Sequence, residues 1–122
     1  MSHSDKAVTI HPYFKVSDEK LQSFKRLAED LIELTRGEMG CLFYGFTYSA
    51  GEAYCREGYQ DAESLVSHLD NVSDLIQRLV SISELSRLEV HGPQDEIDKL
   101  REWPLIKKFR PKYYVLEGGF RN

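Results

Sequence analysis

The chain has 122 residues, of which 41% are hydrophobic and 30% charged, and its formal net charge is −4 at pH 7. This length predicts one domain with one core, and the composition is typical of a soluble globular protein. The acidic balance argues against a general nucleic-acid-binding protein, which needs a basic face to replace counterions. No apolar run approaches the roughly 20 residues of a membrane span, so we expect no membrane partner.

Two features of the sequence bear on the cellular compartment. Residues 1–7 are polar and lack the basic start and apolar block of a secretory signal, so we expect a flexible segment and a cytoplasmic protein. Cys41 and Cys55 lie in apolar, strand-like surroundings. This context favours buried thiols in a reducing compartment over a disulfide.

The chain begins with a predicted strand and a predicted helix. Apolar and polar residues alternate over 8–16, which is the period of a strand, and Pro12 marks an irregular point because it cannot donate to a ladder. Ser17 is a suitable N-cap for the helix that follows. Apolar residues recur there at intervals of three and four until Arg36, and Gly37 ends the helix.

A hairpin and a second helix come next. Two aromatic-rich strands over 39–48 and 53–59 flank a short glycine-containing turn, which predicts a hairpin. Asp61 caps a helix whose apolar stripe runs to Leu79. Weak helix formers near Asn71 predict a break in this helix.

The last third of the chain predicts a strand and an extension. Residues 83–91 alternate as a strand, and the extension begins at Gly92 and covers residues 92–122. Within it we expect a short helix over 94–103, a connector over 105–111 and a final strand over 112–120.

The order β-α-β-β-α-β predicts an α+β, ferredoxin-like antiparallel sheet in a single domain over 1–122, with a C-terminal short helix and an extra strand. Both long helices belong on one face. The other face carries Thr9, His11 and Tyr13, and it needs a cover. A second copy of the chain is the simplest cover, which predicts a homodimer whose two sheets form a dimeric α/β barrel. The fifth strand is free to pair within its own chain or across the dimer.

Three stretches carry a resemblance to a known family. They are Gly40-Cys41, the segment Glu57-x-Tyr59-x-Asp61-Ala62-Glu63-x-Leu65-x-x-His68-Leu69, and the tail Tyr114-x-Leu116-Glu117-x-Gly119-Phe120-Arg121. With the hairpin, they resemble the dimeric α/β-barrel superfamily and, within it, the antibiotic-biosynthesis-monooxygenase-like (ABM-like) group.

This resemblance implies a cofactor-independent monooxygenase that acts on a small aromatic or quinol-type molecule. His68 lies at the margin of the apolar stripe of its helix, where it is placed to accept a proton from a phenol. The substrate pocket would be shaped by aromatic and apolar side chains. These are Tyr44, Tyr54, Tyr59, Phe14 and Leu65.

The residues also support a second interpretation, a non-enzymatic homodimer that binds a small ligand or has a stress-related role. In it, His68 is a partly buried histidine bonded to a strand-end backbone group or to Glu57, and the tyrosines are core or interface packing. Arg56 and Glu57 are then a surface or interfacial ion pair. A pocket of roughly 300 Å³ beside His68 would favour the enzyme, and dense packing there would favour the binding protein.

We expect no cofactor and no metal. The sequence has no glycine-rich phosphate loop and no flavin or nicotinamide fingerprint, and His11, His91 and Glu89 lack metal-ligand spacing. Haem-degrading members of the superfamily would carry an Asn on the first strand, a Trp ending the third and a His late in the second helix. Here those places hold Thr9-Ile10-His11-Pro12, Tyr59 and Arg78, so haem degradation is not expected.

Overall fold

A computed structural model describes residues 5–122. Residues 1–4, which belong to the flexible segment expected over 1–7, lie outside this range. The described chain forms five strands and five helices, with a 3₁₀ turn at Asp18–Lys20. The strands are β1 Val8–Lys15, β2 Cys41–Ser49, β3 Glu52–Tyr59, β4 Glu84–Gly92 and β5 Lys112–Val115. The helices are α1 Leu21–Arg36, α2 Ala62–Asn71, α3 Ser73–Ser81, α4 Gln94–Arg101 and α5 Pro104–Phe109.

The five strands form one sheet in the order β2-β3-β1-β4-β5. β1 pairs antiparallel with both β3 and β4, and β2 pairs antiparallel with β3, as the ferredoxin-like order requires. β5 joins the edge of β4 in parallel and within the same chain. The predicted α+β, ferredoxin-like fold is therefore confirmed, with a mixed sheet because of β5.

Alternation along β1 separates the two faces of the sheet. Val8, Ile10 and Phe14 are buried toward the helices, whereas Thr9, His11 and Tyr13 on the other face are only half-buried. Two apolar clusters fill the layer between sheet and helices. One forms around Tyr59 and Leu65, and the other around Phe14 and Phe24. We call the second face, which carries no helix, the outer face.

The second helix breaks where its weak helix formers lie. α2 ends at Asn71, Val72 lies outside both helices, and α3 begins at Ser73. Asp61 caps α2, since its carboxylate accepts the backbone N–H of Ser64 at 2.8 Å. The predicted cap and the predicted break are both confirmed.

The extension differs from the prediction in two elements, α5 and β5. Residues expected to form a connector fold into α5, because Pro104 occupies the first turn of a new helix instead of only ending the previous one. β5 is also shorter than expected and ends at Val115. Both cysteine thiols are free, and within residues 5–122 no helix is long and apolar enough to cross a membrane.

The start of β2 fits closely against the first turn of α2. A Cβ added at Gly40 would lie 2.5 Å from Cβ of Ser64, whereas one added at Gly37 would meet nothing within 4 Å. The φ angle of Gly37 is −81°, which other residues adopt readily. Gly40 is therefore required by the packing of α2, and Gly37 is not.

We expect Gly40→Ala to lower the free energy of unfolding by about 1–3 kcal/mol, because β2 or α2 must move to admit the methyl group. Gly37→Ala is the matched control, and it should leave stability unchanged or raise it by less than about 1 kcal/mol. Urea denaturation followed by circular dichroism measures both. Equal midpoints for the two variants would contradict the close contact.

Candidate active site

A small apolar cavity lies between the sheet and helices α2 and α3. Its volume is about 60 Å³, and it is lined from the sheet by Ile10, Phe14 and Glu57 and from the helix side by His68. Phe109 of α5 contributes to its wall. The predicted helix–sheet pocket thus exists, but it is far smaller than the roughly 300 Å³ expected for a small-molecule site. The volume therefore does not meet the criterion set for the enzyme, and only a small chemical group fits in this space.

Strand β3 supplies the polar wall of the cavity. Its alternation turns Cys55, Glu57 and Tyr59 toward the helices, and all three are buried. Tyr59 donates its hydroxyl hydrogen to Oε1 of Glu57 at 2.6 Å. Burial away from water raises the pKa of Glu57 to about 7, although the hydrogen bonds from Tyr59 and Cys55 favour its charged form.

His68 stands between two carboxyl groups. It lies on α2 one turn from Leu65 and Val72, so the packing of that stripe carries its ring inward until only 1% of the side chain is exposed. Nε2 lies 3.5 Å from Oε1 of Glu57, and Nδ1 lies 2.9 Å from Oε2 of Glu38. Burial lowers the pKa of His68 and Glu38 opposes this shift, so the ring is neutral near pH 7.

Glu38 belongs to the connection between α1 and β2. Its carboxylate accepts a hydrogen bond from Nδ2 of Asn71 at 2.8 Å, and its side chain is 15% exposed. Both Glu38 oxygens lie within 3.0 Å of Nδ1 of His68. This contact favours the tautomer with hydrogen on Nδ1 and leaves the lone pair of Nε2 directed toward Glu57.

Two tyrosines pack against the His68 ring. The ring centroids of Tyr59 and Tyr44 lie 4.9 Å and 5.3 Å from that of His68. Burial and the nearby Glu57 raise the pKa of both phenols well above the usual value, so both stay protonated. They can donate hydrogen bonds, but they cannot act as bases near neutral pH.

The predicted site residues separate into four groups. His68 and Phe14 line the cavity, and Tyr44 and Tyr59 pack on the His68 ring. Leu65 is fully buried in the core cluster around Tyr59 and does not line the cavity. Tyr54 lies on the outer face, where its hydroxyl contacts Nδ1 of His11 at 2.8 Å, because it is an odd number of residues from Tyr59 along β3.

Two of the most important side chains were not predicted as functional. Glu57 was expected either to bond His68 or to pair with Arg56 at a surface or interface. It is buried with Oε1 3.5 Å from Nε2 of His68, and Arg56 lies instead over the ring of Phe43 on the outer face. Glu57 lies two residues before Tyr59 in β3, so strand alternation places both side chains on the same face of the sheet. This pattern was the signal that could have revealed that Glu57 is buried. Glu38 had no such signal, because it lies in a connection without periodicity.

The outer face carries a continuous row of aromatic rings. Neighbouring ring centroids lie 4.7 Å apart for Tyr13 and Tyr54, 4.6 Å for His11 and His91, and 4.5 Å for His91 and Tyr114. His11 and His91 are brought together by the antiparallel pairing of β1 and β4. Glu89 bonds His91 at 3.2 Å and also pairs with Arg87. In the described range, no group of three or more His, Cys, Asp or Glu side chains is arranged to hold a metal ion.

No protein-family model matches the chain, and no curated protein matches it. Solved structures do. The crystal structure of MupZ from Pseudomonas fluorescens superposes with a TM-score of 0.92 and 34% sequence identity, covering 100% of this chain and 94% of that one. A conserved protein from Methanosarcina mazei superposes with a TM-score of 0.63 and 26% sequence identity, covering 70% of this chain and 89% of that one. A protein named antibiotic biosynthesis monooxygenase superposes with a TM-score of 0.60 and 19% sequence identity, covering 68% of this chain and 92% of that one. This likeness shows a shared fold.

The raised pKa of Glu57 predicts a specific dependence of stability on pH. The folded chain binds this proton more tightly than the unfolded chain, whose value is near 4.5, so Glu57 destabilises the fold as pH rises from about 4.5 to 7. Glu57→Gln keeps an acceptor for Tyr59 and removes the titration. The free energy of unfolding of the variant should therefore rise relative to that of the parent across this range, by up to about 3 kcal/mol above pH 7.

Urea unfolding of parent and Glu57→Gln at intervals between pH 4.5 and 8 measures this difference. His68 acts in the opposite direction, since its pKa is lowered in the fold, but it is present in both chains and contributes little to the difference. A stability difference that stays constant with pH would show that Glu57 titrates normally.

Proposed function

The chain belongs to the family of MupZ within the ABM-like superfamily, and we propose that it is an acid–base enzyme acting on a small, mainly apolar molecule. The observation that supports this most directly is a buried carboxyl group, Glu57, facing an apolar cavity beside His68. A group with a pKa of about 7 has substantial populations of both forms near neutral pH, so it can accept and return a proton.

Each polar side chain has a distinct role in this proposal. Glu57 takes a proton from the substrate, and His68 takes it onward at Nε2 or returns it. Tyr59 holds the Glu57 carboxylate by its 2.6 Å hydrogen bond and stabilises its charged form. The apolar walls exclude water, which strengthens these electrostatic interactions.

Oxygenation of an aromatic or quinol-type substrate is the more specific form of the proposal. A deprotonated, electron-rich ring can itself reduce oxygen, so that one oxygen atom enters the substrate as a carbonyl and the other leaves as water. The fold shared with a protein named antibiotic biosynthesis monooxygenase favours this reaction. The 60 Å³ cavity limits it to substrates whose reacting carbon reaches Glu57 while the remaining rings stay outside.

An acid–base conversion without oxygen is the second candidate. The cavity accommodates a small reacting group better than a polycyclic ring, and Glu57 and Tyr59 supply a proton acceptor and a hydrogen-bond donor side by side. Isomerisation of a substrate, or the intramolecular addition of one of its own hydroxyl groups, needs a proton acceptor and a hydrogen-bond donor but no oxidant.

Oxygen uptake with a panel of quinols separates the two candidates. We expect the parent to convert a panel member, and Glu57→Gln and His68→Ala to reduce the rate by about 10²-fold or more, which is the usual contribution of a general acid or base. Tyr54→Phe is the control, since Tyr54 lies on the outer face. Product formation without oxygen uptake would favour the second candidate.

Conversion at the parental rate by Glu57→Gln would remove this carboxyl from the chemistry. Saturable binding of a panel member without conversion would instead favour the non-enzymatic ligand-binding protein.

We also propose that the active form is a homodimer joined through the outer face. This face presents the aromatic row together with Arg87 and Lys112, which lie over the rings of Tyr13 and Tyr114. Rings and arginines of this kind are enriched in protein interfaces. A second copy of the same face would bury them and would leave the helix-side cavities of both copies accessible.

Light scattering at micromolar concentration should give twice the chain mass of 14.2 kDa. Tyr13→Glu places a charge in the aromatic row and should shift the mass toward that of one chain, whereas Glu33→Gln, on the exposed surface of α1, should not. A parent mass of one chain would contradict the dimer.

A further inference from the structure

His68 connects two separate spaces in the molecule. On one side it lines the apolar cavity with Glu57. On the other side its partner Glu38 borders an open groove of about 280 Å³ between α1 and β2, together with Thr35, Cys41 and Tyr44. One imidazole thus bonds Glu38 through Nδ1 and places Nε2 3.5 Å from Glu57, so the three side chains form a row between the cavity and the groove.

We propose that Glu38 is a positioning residue for His68 and the outer end of a path that carries protons between the cavity and the groove. The path consists of Glu57, His68 and Glu38, with Asn71 holding Glu38 in place. This proposal rests on the acid–base function proposed above, because it supplies the exit for the proton that Glu57 takes from a substrate.

The contacts fix the direction of each transfer. His68 begins with hydrogen on Nδ1, bonded to Glu38, and its Nε2 lone pair faces Glu57 at 3.5 Å. A proton released by Glu57 binds Nε2 and makes an imidazolium. The hydrogen on Nδ1 then passes to Glu38 and from there to water in the groove. In the second half of a cycle, a proton enters at Nδ1 and the one on Nε2 returns to Glu57, so no charge accumulates.

Asn71 accounts for the geometry of Glu38. Its Nδ2 donates to Oε2 of Glu38 at 2.8 Å and lies 3.4 Å from the backbone oxygen of Leu34. This bridge ties the end of α2 to the end of α1 and aims the carboxylate at Nδ1. A glutamate in a connection would otherwise sample many rotamers, and its contact with His68 would be lost for much of the time.

Nuclear magnetic resonance of the full chain labelled with ¹⁵N-histidine tests this path without any substrate. His68→Gln identifies the His68 signals among those of the four histidines. We expect the parent to show the tautomer with hydrogen on Nδ1. In Glu38→Gln the amide cannot act as a base, so exchange of this hydrogen with water should slow by about tenfold or more.

The same variant should lower the pKa of His68 further, because the negative charge that opposes its decrease is lost. Asn71→Ala should give an intermediate exchange rate. Glu33→Gln is the matched control, since Glu33 is exposed on α1 and pairs with Arg36, and it should match the parent in both readouts.

Hydrogen on Nε2 in the parent, or unchanged exchange in Glu38→Gln, would overturn the path, since a residue that only packs against His68 would leave exchange unaffected. The outcome is separable from that of the activity assays. Slowed exchange in Glu38→Gln, combined with no conversion of any quinol, would retain the path and reject the proposed enzyme.

Discussion

The burial of Glu57 is the constraint on which the rest of the site depends. A carboxyl group enclosed between a sheet and its helices loses its hydration, and an unpaired charge there is costly enough that the group raises its pKa instead. Glu57 does so, to about 7, while Tyr59 satisfies one of its oxygens at 2.6 Å and His68 lies near the same atom. A leucine at this position would leave His68 as the polar side chain of the cavity wall, without a carboxyl group beside it. Among the described strand residues that line the cavity, Glu57 is the one with a polar side chain.

The break between α2 and α3 links local helix chemistry to this site. Asn71 is a poor residue for a helix interior, because its side chain competes for backbone hydrogen bonds. At the last position of α2 it is instead free to bond Glu38 and to reach back to the end of α1. The carbonyl of His68 still accepts the N–H of Val72 at 3.0 Å, so the final turn of α2 stays closed at the break.

The sequence contained enough information for the fold and for half of the site. Periods of two and 3.6 identified the strands and both long helices, and the stripe of α2 located His68 at the helix–sheet layer. The same period of two places Glu57 and Tyr59 on one face and Tyr54 on the other, so these positions were predictable in principle. Glu38 and the cavity volume were not. The first depends on how a connection folds over a distant helix, and the second depends on how side-chain volumes add up across two clusters.

The extension after β4 contributes to the candidate site, because it contacts both the first turn of the helix that carries His68 and the wall of the cavity. Buried Glu96 of α4 accepts the N–H of Ala62 at 2.9 Å, so the extension satisfies a backbone donor in the first turn of α2. Phe109 of α5 forms part of the cavity wall. MupZ matches the whole of this chain, extension included, whereas the match to the protein named antibiotic biosynthesis monooxygenase covers only 68% of it. A ferredoxin-like core without α4 and α5 would lack this support for α2 and this wall. The extension therefore contributes to the position of α2 and to the shape of the cavity.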